Sequence, residues 1–215
     1  MSIAEKLQTI AENEQKVYHA GELSLAPLLS DTVTNYRLPN GFTHLKGDVF
    51  GATWYLNYVT IPSSVVDLAN GVFRNAYNLL KVTFEGGEIT RFGSNMFQGS
   101  SKLKTIIFGC NLKNADIASG TFTNCTALET VTFTQETLNK NVYIHNTSKL
   151  KKSCAYEIMR KLANHTGTDE ELTYTFKLHA TVWANVEDTT AEDYEAPPSG
   201  TTWQDFVTNY RGYNI

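Results

Sequence analysis

The 215-residue chain is poor in charge, with only 19% Asp, Glu, Lys and Arg, and it has no surplus of one sign. Eighteen basic against 22 acidic residues leave a net charge of -4, so the basic excess that contacts with a phosphate backbone require is missing and nucleic acid is excluded as the expected partner. No apolar run approaches the ~18 residues that cross a bilayer, and membrane insertion is not expected. The N-terminus lacks a basic segment followed by a continuous apolar stretch, so no export signal is expected there. Cys110, Cys125 and Cys154 form no CxxC pair and are odd in number. They define no disulfide framework and read as small buried hydrophobes.

Catalytic constellations are also missing. His19, His44, His145, His165 and His179 form no HExxH or short-spaced pair, and surface or turn positions are expected for them. There is no GxSxG elbow, no GxxxxGK[ST] loop and no GxGxxG, so acyl transfer, P-loop chemistry and dinucleotide binding lack their minimal parts. Cys154 with His145 or His165 could form a nucleophile and base, but Cys154 falls on an apolar helical stripe, which favours a packing role. Glu187, Asp188, Glu192, Asp193 and Glu195 lack the glycine turn and terminal bidentate Glu of a calcium loop, and a solvated loop is expected. The N-x-S/T triplets at Asn124, Asn146 and Asn164 carry no weight without export. A non-enzymatic protein with no cofactor and no metal is the expectation.

Aromatic residues are abundant, at 12%, and they recur in register. Phe50, Phe73, Phe97 and Phe122 are separated by 23, 24 and 25 residues, and Leu56, Leu79, Leu103 and Leu128 by the same intervals. Leu38, Ile61, Phe84, Phe108 and Phe133 follow at 23, 23, 24 and 25, each two residues after an apolar partner, an alternation that marks a short strand. Leu45, Leu68, Phe92 and Ile117 supply a further apolar position per unit. A unit this short cannot bury its own apolar face, whereas stacked units bury a continuous ladder. A solenoid is therefore predicted.

Val59-Thr-Ile-Pro-Ser-Ser-Val and the later Phe-Arg-Asn-Ala-Tyr-Asn-Leu79, with Asn124-Cys-Thr-Ala-Leu128, resemble the leucine-rich repeat of the BspA type over roughly residues 36–150. The third unit departs from the pattern, with Gly109-Cys110-Asn111-Leu112 in place of Ile-Pro-Ser-Ser and a lengthened coil. The resemblance implies an α+β, β-rich leucine-rich-repeat solenoid of about five short coils, with an N-terminal helix and a helical C-terminal cap. The expected division is a helix over 1–21, the solenoid over 22–150, and a modified terminal coil and cap over 151–215.

Ser2 and Glu5 make a capping box for the first helix and Gly21 a stop, while Ile3, Leu7, Ile10 and Val17 form a heptad seam. That seam suits either a lid on the solenoid's open end or a docking and oligomerisation helix. Cys154, Ile158, Met159 and Leu162 predict a helix ending near Gly167, and Leu172, Tyr174, Phe176 and Leu178 a strand. Residues 185–200, acidic and proline-bearing, read as a loop. Thr202 caps a last helix with Asp205 three residues later; Trp203, Phe206, Val207 and Tyr210 share one face, and Gly212 stops it.

The lead-in from Ile3 to Gly21 and the closing segment resemble short leucine-rich-repeat proteins encoded among phage and prophage tail genes. This implies a structural virion protein, tail or baseplate associated and used in host-surface attachment. Its implied partners are other virion proteins through the N-terminal helix and a host surface protein or glycan, with a homo-oligomer for avidity. The alternatives are a bacterial BspA-like surface adhesin or interaction protein at the cell surface, a capsid-decorating protein, and a glycan-active enzyme needing paired carboxylates. Candidate contact residues are the aromatics outside the repeat register, Trp54, Tyr55, Tyr58, Trp183 and Tyr194; Trp54 and Trp183 could instead close the ends of the core. The outward strand row is Thr60, Thr83, Ile107 and Thr132. Deleting residues 1–21 is expected to leave a folded domain that no longer assembles, read by light scattering; unfolding or aggregation would make the helix a lid instead.

Overall fold

In the computed structural model, residues 33–112, 114–134, 138–171 and 173–215 are described. The heptad seam of Ile3, Leu7, Ile10 and Val17, His19 and the side chain of Leu172 lie outside them. The apolar-polar alternation becomes five parallel strands: β1 (Asn35–Arg37), β3 (Tyr58–Ile61), β5 (Lys81–Phe84), β7 (Thr105–Phe108) and β8 (Thr130–Phe133), paired in the order β1-β3-β5-β7-β8. The register follows the repeat, with Val59 opposite Val82, Val82 opposite Ile106 and Ile106 opposite Val131. A second sheet, β2 (His44–Leu45), β4 (Asp67–Leu68) and β6 (Arg91–Phe92), lines the other flank and is also parallel. That ladder resumes where Ile117 bridges Val142 of β9 (Val142–Ile144), which pairs with β10 (Phe176–Leu178). Consecutive strands that are parallel neighbours, joined by one full coil each, make a solenoid.

Two phenylalanine ladders fill its interior. Phe50, Phe73, Phe97 and Phe122 stack with centroid separations of 5.1, 5.3 and 5.9 Å and interplanar angles of 12° or less. Phe84, Phe108 and Phe133 stack at 5.1 and 4.9 Å. The ladders meet edge to face, Phe73 against Phe84 at 88°, the arrangement that ring quadrupoles favour. These rings and Leu56, Leu79, Leu103 and Leu128 are buried throughout.

After each phenylalanine the coil turns through a left-handed residue, and Ala52, Asn75, Gly99 and Asn124, spaced like the rings, have φ of 53°, 58°, 78° and 61°. Asn and Gly enter this region readily, whereas an alanine carries a penalty of roughly 1–2 kcal/mol. Gly99 is required for a second reason, because a Cβ there would lie 2.2 Å from Asn75 Oδ1 of the preceding coil. The next residue inward is small, and in two coils it closes the turn below: Ser100 Oγ donates to the Phe73 carbonyl at 2.7 Å and Cys125 Sγ to that of Phe97 at 3.0 Å. Cys110 and Cys125 are buried, as expected, whereas Cys154 is only half-buried.

The C-terminal region corrects several expectations. Helix α1 (Lys152–Arg160) buries Ala155, Tyr156, Ile158 and Met159 and packs beside β8, where a sixth strand would lie. It stops at Lys161 and not near Gly167, because Leu162 leaves the helix to bridge Leu138. The predicted strand shortens to Phe176–Leu178. An unexpected helix, α2 (Ala180–Val186), precedes the expected loop and takes its first two residues, with the His179 ring accepting from the Thr181 amide as its cap. Helix α3 (Trp203–Asn209) has the Thr202 cap, accepting from the Asp205 amide at 3.1 Å, and buries Trp203, Phe206 and Val207, while Tyr210 stays exposed.

The acidic segment is exposed, as expected of a solvated loop, but two of its carboxylates are tied to the helix α1. Lys152 pairs with Asp193, Arg160 reaches Glu195 at 2.7 Å while lying 5.3 Å over the Trp203 ring, and the Trp203 indole donates to the Glu195 carbonyl at 2.7 Å. His165, expected at the surface, is buried between Tyr174 and Tyr213 and pairs with Glu170 at 3.2 Å. Gly212, at φ 71°, permits this, since a Cβ there would come within 3.1 Å of the His165 backbone.

Two substitutions in the repeat should act in opposite directions. Phe97→Ala opens a cavity between two stacked rings and should cost about 3–5 kcal/mol in denaturant unfolding. Ala52→Gly relieves a left-handed alanine whose exposed methyl contributes little, and should raise stability by about 1 kcal/mol, roughly 2–4 °C in melting temperature.

Burial also sets an alkaline limit. It pushes the Tyr36 hydroxyl from 10.0 up to about 12, and the Cys110 and Cys125 thiols from 9.0 up to about 12. All three are neutral when protonated and hold their protons more tightly folded than unfolded. Their contribution is therefore complete below pH 9 and lost as pH rises through 12. Melting temperatures should fall progressively across that window, and Tyr36→Phe should flatten its upper part.

Candidate binding surface

With the inward positions committed to the ladders, the outward residues of the five-stranded sheet are free for recognition. They are Asn35 and Arg37 on β1, Tyr58 and Thr60 on β3, Lys81 and Thr83 on β5, Thr105 and Ile107 on β7, and Thr130 and Thr132 on β8. The expected row of Thr60, Thr83, Ile107 and Thr132 thus faces outward: the first three are half-buried among their neighbours and Thr132 is exposed. At the β1 end the face dips into a depression of ≈ 440 Å³ lined by Asn35, Arg37, Tyr58, Thr60, Lys81 and Thr83, floored by Tyr36 and Val59. The Arg37 guanidinium is answered by Glu85, Nε to Oε1 at 3.0 Å and Nη2 to Oε2 at 2.6 Å. Lys81, opposite Tyr58 in register, has no ion-pair partner among the described residues.

The adjoining turn carries more aromatic surface. Trp54 is 58% exposed, Tyr55 46% and Tyr58 45%, so three of the large exposed apolar side chains fall within five residues. Tyr77 of the next coil lies against Trp54, with centroids 4.8 Å apart and planes at 34°. The turn beneath is braced both within its coil and from coil to coil. Thr53 Oγ1 donates to the Phe50 carbonyl at 2.8 Å, the Asn78 amide donates to the Trp54 carbonyl, and Lys102 Nζ donates to Asn78 Oδ1 at 2.7 Å.

Of the five aromatic candidates, the structure brings Trp54, Tyr55 and Tyr58 to this end and places the other two elsewhere. Trp183 is half-buried against the core, its ring perpendicular to Phe176 at 5.9 Å, and Tyr194 is likewise half-buried in the C-terminal region. Trp183 therefore packs on the core, as one reading of it held, whereas Trp54 does not close the core at all. Tyr77 and Lys81 were missed in the sequence. Their signal was present, since each stands 23 residues after Trp54 or Tyr58 and so one coil above it.

The remaining chemistry is sparse. Another cavity, ≈ 150 Å³ between β8 and α1, is lined by Cys154, Glu157 and Lys161 among others, but by no histidine and by one carboxylate. Neither a cysteine–histidine pair nor paired carboxylates meet there. Among the described residues no group of three or more His, Cys, Asp or Glu could hold a metal ion, and no helix is long and apolar enough to cross a membrane.

Short parallel strands stacked one per coil, a turn column of left-handed residues and a polar outward sheet define a leucine-rich-repeat solenoid. The family model for the BspA type leucine rich repeat region matches residues 29–151 in six copies, more than half the chain. The chain belongs to the BspA-type leucine-rich-repeat family. A leucine-rich repeat protein from Eubacterium ventriosum is similar at 17% identity and TM-score 0.42, covering 52% of this chain and 36% of its own. A leucine rich cell surface protein from Faecalibacterium prausnitzii is similar at 23% identity and TM-score 0.34, covering 48% and 32%. The chain thus spans about a third of the length of these proteins. No curated protein matches it. None of these comparisons is to a phage tail protein, and the lead-in that carried the tail resemblance lies outside the described residues.

Proposed function

We propose that this protein is a non-enzymatic recognition module displayed at a bacterial cell surface, binding a protein or glycan of its surroundings through the outward face of the solenoid. The observation that carries this reading is the grouping of aromatic side chains at the turn, the exposed Trp54 and Tyr55 with Tyr77 against Trp54, together with Tyr58 and a cation unpaired among the described residues on the adjoining sheet. Exposed aromatic rings on a rigid scaffold supply contact area at little conformational cost. Membership of the BspA-type family supports the same class of role. An assembly of several copies through residues 1–21 would add avidity.

The location of the protein separates this reading from the virion one. Protease shaving of intact cells of the encoding bacterium should release its peptides, while phage particles induced from the same culture should lack them. Peptides found in purified particles and absent from the cell surface would replace the adhesin reading with a tail-associated one.

A further inference from the structure

We propose that the patch formed by Trp54, Tyr55, Tyr58, Tyr77 and Lys81 binds an acidic oligosaccharide, with sugar rings lying on the aromatic side chains and a carboxylate paired with Lys81. This deepens the recognition reading above and rests on it. Three features of the site select that chemistry.

The aromatic surface is open and held in place. The Trp54–Tyr77 pair spans two adjacent coils and Trp54 keeps more than half its surface in solvent, while the Asn78 and Lys102 hydrogen bonds fix the turn beneath. A planar, partly solvated ring on a braced turn suits the apolar face of a pyranose, which is broad, shallow and bordered by hydroxyls.

The neighbouring depression is lined by hydrogen-bonding groups. Tyr58 and Lys81 face each other on adjacent strands, about 4.8 Å apart. Thr60 and Thr83 add two hydroxyls and Asn35 an amide. A protein partner would require an apolar core to its interface, and outward of the strands the depression offers only the Tyr58 ring, so apolar contact is confined to the rings of the adjoining turn. Trp54 and Tyr58, like Tyr77 and Lys81, stand four positions apart, at most ~14 Å of chain, so one short oligosaccharide can reach both the turn and the sheet.

Charge then decides between neutral and acidic sugars. Arg37 is neutralised by its bidentate contact with Glu85, which among the described residues leaves Lys81 as the unanswered cation in the depression. A neutral sugar would leave that ammonium unused, whereas a carboxylate would pair with it. Because the chain as a whole carries -4, a polyanion gains nothing from general attraction and the contact is local.

Calorimetric titration of the full chain with tetragalacturonic acid, against cellotetraose as the neutral probe, tests this. Saturable binding of the acidic tetramer is expected, weaker at high salt and at least tenfold tighter than any binding of cellotetraose. Lys81→Gln should lower affinity for the acid about tenfold and erase the preference, Trp54→Ala should weaken both sugars, and Tyr210→Ala, exposed at the other end of the chain, should change neither. Matching melting temperatures keep a folding defect from counting as a lost contact. No binding, equal binding of the two tetramers, or an unchanged affinity in Lys81→Gln would overturn the proposal. Such a failure with the protein still shaved from intact cells leaves the recognition reading standing, whereas loss of surface location removes that reading whatever the titration gives.

Discussion

Stacking of identical side chains at the same register of successive coils is the interaction on which the rest of this molecule depends. No single coil has an interior, and each phenylalanine is buried only because another lies about 5 Å above or below it. The parallel strands, the left-handed turn column and the buried Ser100 and Cys125 donors all repeat at the interval that keeps the rings face to face. A coil could lengthen from 23 to 25 residues only where the extra residues left these positions in line.

A stack of this kind has two ends, and the described one is closed by a different device. Helix α1 takes the place of a further strand beside β8, and the acidic segment folds back over it through Lys152 and Arg160. Tyr156 stacks on Trp203 at 5.0 Å and donates to the Val186 carbonyl, so three helices share one aromatic centre. The exposed ion pairs of this clasp contribute little each. Their effect is to orient a loop whose backbone carbonyl receives the Trp203 indole.

The same division of labour shapes the surface. In every strand the residues that stack inward are apolar and large, and those between them are left to face solvent with no structural duty. This is why Tyr58 and Lys81 can vary from the threonines that occupy their column in later coils without disturbing the fold. The recognition chemistry proposed for this face falls where the stack is indifferent to it.

Periodicity alone determined the solenoid, because three residue classes in one register admit no other arrangement that buries them all, and family membership was legible in the strand-to-turn motif for the same reason. The Thr202 cap and the Gly212 stop were equally local and equally legible. The tertiary structure decided what no short-range pattern encodes. His165 is buried because Tyr174, Tyr213 and Gly212 converge on it from distant segments, and Asp193 and Glu195 are paired because their cations, Lys152 and Arg160, lie on α1, in sequence far before them. Trp54 and Trp183 are the same residue type off the repeat register, yet one stands in solvent beside Tyr77 and the other packs on Phe176. Exposure is set by what the rest of the chain places alongside, and only the folded stack supplies those neighbours.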